Sequence, residues 1–305
     1  MDVALQVLVS GLAAGAIYGL VAIGHALVYR LTGVVHFAFG ELIALGVFAT
    51  LLLAAGTGPV SQTSVGGARF ALALAGGLAV AAAASAGSYF FAVQPYQLRG
   101  STLGWVGASL AVAFALRTLI VTVFDRPSYV FPDPLPFRKL GDGGFWHVGG
   151  ATIQIRSLFV IAVALALAGA VAWTLARTRF GRALEAIASE VEGARIVGLP
   201  VSRLVGLAFA LAGAFAGLAA VVAAPSGAFD VDTAGLYGVK GLAAAAVVGF
   251  APWQGFAAGV ALGLAEAGVA NTSWAGPSYR EVVPLATALC LLAARSLRVP
   301  EAEAE

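Results

Sequence analysis

Residues 4–29 read ALQVLVSGLAAGAIYGLVAIGHALVY, a run with no Asp, Glu, Lys or Arg. A helix that crosses a bilayer needs about 20 apolar residues at a rise of about 1.5 Å each, and this run is long enough. No basic segment precedes it, and no small-residue cleavage site leads from it into a polar chain, so it is expected to be a retained span and not a signal peptide. Working outward, charges bracket eight further apolar stretches, at about 32–55, 70–93, 101–124, 157–176, 204–224, 236–250, 254–271 and 281–297. Only Ala251-Pro252-Trp253 separates 236–250 from 254–271, so these two are read either as two short spans or as one broken, re-entrant pair.

The whole chain has the same character. Over 305 residues, 60% are hydrophobic and 10% charged, where soluble domains carry about 45–50% and about 25%. Seventeen basic and fifteen acidic residues give no surplus for a polyanion, so nucleic acid is excluded as a partner. The single cysteine, Cys290, allows no internal disulfide and no zinc or redox motif. The predicted fold class is all-α, a polytopic transmembrane helical bundle of about eight to nine spans (range eight to ten). Residues 1–305 are read as one membrane domain in contact with lipid.

Orientation follows the Lys/Arg bias of short loops. Arg177, Arg179, Arg182, Arg195 and Arg203 mark 177–203 as cytoplasmic, and Arg295 and Arg298 do the same for the C-terminus. Counting spans leaves 125–156 and the N-terminus outside. Pro132, Pro134, Pro136 and the Gly141–Gly144 cluster predict an irregular outer loop. Glycines repeat every fourth residue at Gly11/Gly15/Gly19, Gly213/Gly217 and Gly259/Gly263, which lets helices approach closely in lipid. Packing within one bundle is the plainer reading of these stripes, and a subunit contact the other.

Ionisable side chains at membrane depth are functional candidates by default. His25 and Arg30 sit near a helix end and are expected to snorkel. Glu266 is close to the outer end of its span. Arg117, two turns before Asp125, pairs with it or snorkels outward, and Lys240 satisfies broken-helix carbonyls or reaches the outer water. Glu41, in His36-Phe37-Ala38-Phe39-Gly40-Glu41, is about ten residues into its span. Two roles stand for it: a structural hydrogen bond, or a place on a translocation path. The candidate path residues are His36, Glu41, Arg117 and Lys240. No group is a candidate for catalysis or metal binding, since His25, His36 and His147 fall in different segments.

The inner segment is the second feature. Leu184, Ile187, Val191 and Ala194 recur at three- and four-residue steps among Arg182, Glu185, Glu192 and Arg195. They predict one amphipathic helix over about 182–197, stopped by Gly198 and Pro200. Its mixed charge suits a protein groove better than headgroups. A helix this short is marginal in water, so its apolar stripe is expected to be held by another protein. A membrane bundle with no engine of its own and a cytoplasmic docking helix points to a permease driven by a separate ATPase. A proton-coupled secondary transporter using Glu41 or His25 and a membrane enzyme are the competing classes.

On these residues the chain resembles the permease subunits of high-affinity branched-chain amino acid ABC transporters. The resemblance is carried by Gly15-Ala16-Ile17-Tyr18-Gly19-Leu20 and by Val28-Tyr29-Arg30-Leu31-Thr32-Gly33-Val34-Val35-His36 through Glu41. It continues in Gly181-Arg182-Ala183-Leu184-Glu185-Ala186-Ile187-Ala188, in Ala194–Pro200 and in Gly249-Phe250-Ala251-Pro252-Trp253. The family usually has asparagine at the place of His36, histidine at Phe39, arginine at Glu185 and an uncharged polar residue at Arg117. The resemblance implies a bacterial cytoplasmic-membrane importer whose ATP is used by two partner ATPase subunits, with no cofactor on this chain. It also implies a second permease subunit and an extracytoplasmic solute-binding protein. Its solutes would be branched-chain amino acids or, as in the wider family, urea, short amides or aromatic acids. Arg182, Glu185, Ile187, Glu192, Arg195 and Gly198 would couple to the ATPase.

Overall fold

The computed structural model describes residues 2–57, 65–124, 128–132, 135, 137, 143–148, 150–272, 279 and 282–296. Each of the nine apolar stretches contains a helix. The first, α1 (Asp2–Thr32), is 31 residues long and apolar on every side, the pattern of a helix that is buried all round. Residues 15–28 are accordingly all buried, the glycines included. Helices α6 (Ile155–Arg177), α9 (Val201–Ala223), α10 (Val231–Val247) and α11 (Pro252–Ala270) pack around it. Helix α2 (Phe39–Ala55) lies against α3 (Gly67–Ser88), α9 and α10, and α5 (Thr102–Val123) packs on α2 at the rim. Helix α12 (Val282–Ser296) rests on α10 and α11.

Five helical stretches are long and apolar enough to cross a membrane: Ala4–Thr32, Gly67–Gln97, Leu103–Val123, Ile155–Arg177 and Val201–Ser226. Helix α2, at 17 residues, is a shorter apolar one. It starts at Phe39, and not at 32 as the hydropathy alone predicts. Residues 34–36 have left the helix, although Val34 and His36 are buried. Charge counting cannot detect this, because the unwound residues are as apolar as the helix. Glu41 therefore stands in the first turn of α2, and not ten residues into a span.

The stretch 236–250 also shifts. Helix α10 begins at Val231 because Asp230 caps it, its Oδ1 accepting from Thr233 N at 2.6 Å and Thr233 Oγ1 at 2.7 Å. With α11 it forms two ordinary helices in place of a broken pair.

The α1–α11 contact accounts for two of the glycine stripes. A Cβ on Gly263 would run into the Gly15 backbone, and Gly11 and Gly19 meet Leu264 and Phe256 in the same way. Gly213 meets Ser85 of α3. All of these are contacts within one bundle.

The loop expected to be irregular is partly ordered. Strand β1 (Tyr129–Val130) pairs antiparallel with β4 (Ala228–Phe229), and β2 (Phe145–Val148) forms a hairpin with β3 (Ala151–Gln154). Beneath β1, the rings of Phe48, Phe124, Tyr129 and Phe229 pack with centroids 4.8–6.2 Å apart. Arg156 leaves the loop altogether: it lies in the first turn of α6, buried, with Nη1 donating to Val222 O at 3.1 Å. Asp125, Arg126, Pro134, Pro136, Arg138, Lys139, Asp142 and Arg298 lie outside the described residues.

Candidate functional site

The expected path residues fall into three separate places. The unwound stretch before α2 holds His36, fully buried against the Phe209 ring. Ser88 Oγ donates to Ser85 O at 2.7 Å and lies 3.1 Å from His36 Nε2. The single hydroxyl proton is thereby used, so Nε2–H donates to Ser88 and Nδ1 is the acceptor nitrogen. That Nδ1 is buried and has no hydrogen-bond partner. His25, expected to snorkel, is buried instead and bonds Gly238 O through Nε2 at 3.2 Å. It tethers α1 to α10.

The second place is a rim of charge. Arg117 of α5 pairs with Asp232, the second residue of α10, at 2.5 Å, a partner on another helix in place of the near-neighbour acid expected from the sequence, which lies outside the described residues. The two side chains are 40% and 72% exposed. Glu41 and Asp230 are close enough for their charges to act on Arg117. Glu41 precedes Phe48 by seven residues, Arg117 precedes Phe124 by seven, and the two rings touch at 4.8 Å. Both charges therefore lie at one depth, about 10 Å along the helices from the aromatic cluster.

Lys240 belongs to neither group. It is buried (3% exposed) with Glu266 (9%), Nζ to Oε2 at 3.0 Å. The Tyr18 hydroxyl donates to Glu266 Oε2 at 2.9 Å and accepts from Lys240 at 3.2 Å. The Lys240 ammonium also stands 5.0 Å from the Tyr18 ring centroid. Glu266 is thus a core residue, not an interfacial one, and Lys240 serves the junction of α1, α10 and α11.

At the end of the bundle where α6 stops, the predicted single helix is two. Helix α7 (Arg179–Ser189) ends at Glu190, whose extended backbone (φ −157°, ψ 112°) turns the chain into α8 (Val191–Ile196). Leu184, Ile187 and Ala194 are buried in the same apolar cluster as Leu27, Leu31 and Val205 of this chain. The stripe is therefore held by its own bundle and not by another protein, and Ile187 is an anchor rather than a contact residue. Arg182, Glu185, Glu192 and Arg195 are exposed. Gly198, at φ +82°, ends α8 as expected, with Leu199 N donating to Ala194 O at 3.0 Å. Before it, Ile196 and Val197 are 85% and 75% exposed.

Beside this elbow opens a cavity of about 660 Å³ lined by Tyr89, Gln94, Gln97, Glu192, Arg195, Ser202 and Arg203, among others. Gln94 and Gln97 stand on α4 (Gln94–Gln97), which continues α3 through a π-helical turn over Tyr89–Val93. Gln94 bonds Ser202 Oγ at 2.6 Å and Gln97 bonds Thr32 O at 2.8 Å. Sequence reasoning missed this polar lining, because Gln94 and Gln97 stand in the short link between two apolar stretches and nothing local shows that they reach Ser202 and Thr32. Ile196 and Val197 were missed for the opposite reason, as two more apolar residues among many.

A bundle of membrane-crossing helices with unwound backbone at a buried histidine, charge on an exposed rim and a structured elbow at one end is the architecture of a membrane transport protein. A family model described as "Branched-chain amino acid transport system / permease component" matches residues 7–292, and the chain belongs to that family. It is 26% identical over 304 residues to BraD of Pseudomonas aeruginosa, a high-affinity branched-chain amino acid transport system permease protein, covering 98% of this chain and 97% of BraD. It is 23% identical over 295 residues to the corresponding permease protein LivH of Escherichia coli, covering 94% and 92%. With that membership the secondary-transporter and enzyme readings lapse. The chain is thus a permease component of a transport system.

Proposed function

We propose that residues 1–305 act as one permease domain of a bacterial inner-membrane ABC importer for branched-chain amino acids or a related small polar solute such as urea, an amide or an aromatic acid. Two cytoplasmic ATPase subunits use the ATP, this chain binds no cofactor, and an extracytoplasmic binding protein delivers solute to a pair of permeases. Segment 177–203 and the C-terminus face the cytoplasm, and 125–156 faces outward. His36, Glu41 and Arg117 belong to the path, whereas Lys240 holds the bundle that forms it.

The elbow of α7 and α8 carries the coupling part of this reading. Its inner side is anchored in the core through Leu184 and Ile187, while Ile196 and Val197 project beside Arg182, Glu185, Glu192 and Arg195. An apolar tip ringed by charge suits a groove, in which the tip supplies affinity and the charges set partner choice. Anchoring makes the elbow stiff, so a push on the tip passes to α9 through Gly198 and Pro200.

The test is co-purification of the ATPase subunits with the intact complex, together with ATP-driven uptake in vesicles of leucine, urea, a short amide and an aromatic acid. Ile196→Asp/Val197→Asp should insert normally, lose the ATPases and abolish uptake. Full association and full uptake would remove the elbow from coupling. Uptake of leucine by the wild type that the other solutes fail to compete would fix the solute class.

A further inference from the structure

Two helices at the periphery, α5 and α6, are both exposed along most of their length, yet they differ in what they expose. On α6 the outward side chains include Leu165 and Trp173, and its only charges, Arg156 and Arg177, stand at its two ends. On α5, Leu103, Leu110, Phe114 and Val121 form an exposed stripe at multiples of three to four residues. Beside the stripe is the half-open Arg117–Asp232 pair, six residues inside the end of α5, or about 9 Å along its axis. Glu41 and Asp230 stand close by, and Glu41 makes no hydrogen bond or ion pair among the described residues. Hydrocarbon does not tolerate such a group, whereas protein or water does. No part of this chain described here covers that face.

We propose that the α5 face, with the starts of α2 and α10, is the surface this chain turns to the second permease subunit, so that Arg117, Asp232 and Glu41 lie between the two permeases while α6 faces lipid. This rests on the reading of the chain as one of a permease pair. The chemistry of the occupant follows from the face. It is apolar along the stripe, where packing of helix on helix drives association in a bilayer. It is polar or cationic opposite the rim, because three carboxylates against one guanidinium leave a negative surplus.

The intact complex in phosphatidylcholine bilayers, on a Cys290→Ser background, tests the assignment. Phe114→Cys and Leu165→Cys are each labelled with bimane, and quenching by dibrominated phosphatidylcholine is measured. A benzophenone attached at the same positions then captures neighbours. Position 165 should lose its fluorescence to the brominated lipid, and position 114 should keep it and yield an adduct with the second permease chain. Quenching at 114 as strong as at 165, or a permease adduct only from 165, overturns the proposal. Where Phe114→Cys does not assemble, Val121→Cys on the same stripe is read in the same way. A purified complex with no second permease chain overturns the importer reading itself. A second chain with lipid at position 114 overturns only the choice of face.

Discussion

The Lys240–Glu266 and Arg117–Asp232 pairs both anchor α10, the first by its middle and the second by its start. The first is 3.0 Å long, almost closed to solvent, and completed by Tyr18. The second is short but 40% and 72% exposed, with unmatched acid nearby. In a low-dielectric core a charge survives only with its counter-charge and hydrogen bonds in place, so the first pair is bound up with the existence of the α1–α10–α11 junction. An exposed pair contributes little to folding. Its presence at membrane depth therefore asks for an explanation other than stability, and function is the available one.

That contrast can be broken most decisively at the buried pair. Lys240→Met alone leaves a buried carboxylate without its cation and should cost about 3–5 kcal/mol, seen as loss of folded protein in detergent melting and in membrane abundance. Lys240→Met/Glu266→Leu should recover most of that loss. A single variant as stable as wild type would show that the core pair is dispensable and dissolve the distinction. Next in size is Gly263→Val, which pushes a side chain into the Gly15 backbone and should cost about 1–3 kcal/mol by the same melting assay. Ile187→Asp should destabilise by a similar amount, because Ile187 is 1% exposed in this chain's own core. That outcome separates it from Ile196→Asp/Val197→Asp, which should leave the melt unchanged.

The smallest stability effect is expected at the rim. Arg117→Gln, which removes the charge and keeps a polar side chain, should shift stability by less than about 1 kcal/mol while lowering uptake. Glu41→Gln should behave alike, with normal abundance and reduced transport. Unchanged uptake in both variants would return the rim to an incidental surface pair and leave the exposed face of α5 without a functional reason.

Part of this was open to reading along the chain. Nine apolar runs predict nine helical stretches, because hydrocarbon demands apolar side chains and internally bonded backbone wherever the chain meets it, and that demand is written residue by residue. The stop at Gly198, the motif before Glu41 and the family resemblance are local in the same sense. What tertiary structure alone decided is pairing. Lys240 and Glu266 are 26 residues apart and Arg117 and Asp232 115, and nothing local says which acid a buried cation will find. The amphipathic stripe of Leu184 and Ile187 announced that something would cover it, and equally allowed a partner or the chain's own bundle. The unwinding before Phe39 left hydropathy untouched. Composition records how much of each side chain must leave water; only the packed bundle determines against what it is buried, since that is fixed by helices brought together from distant parts of the chain.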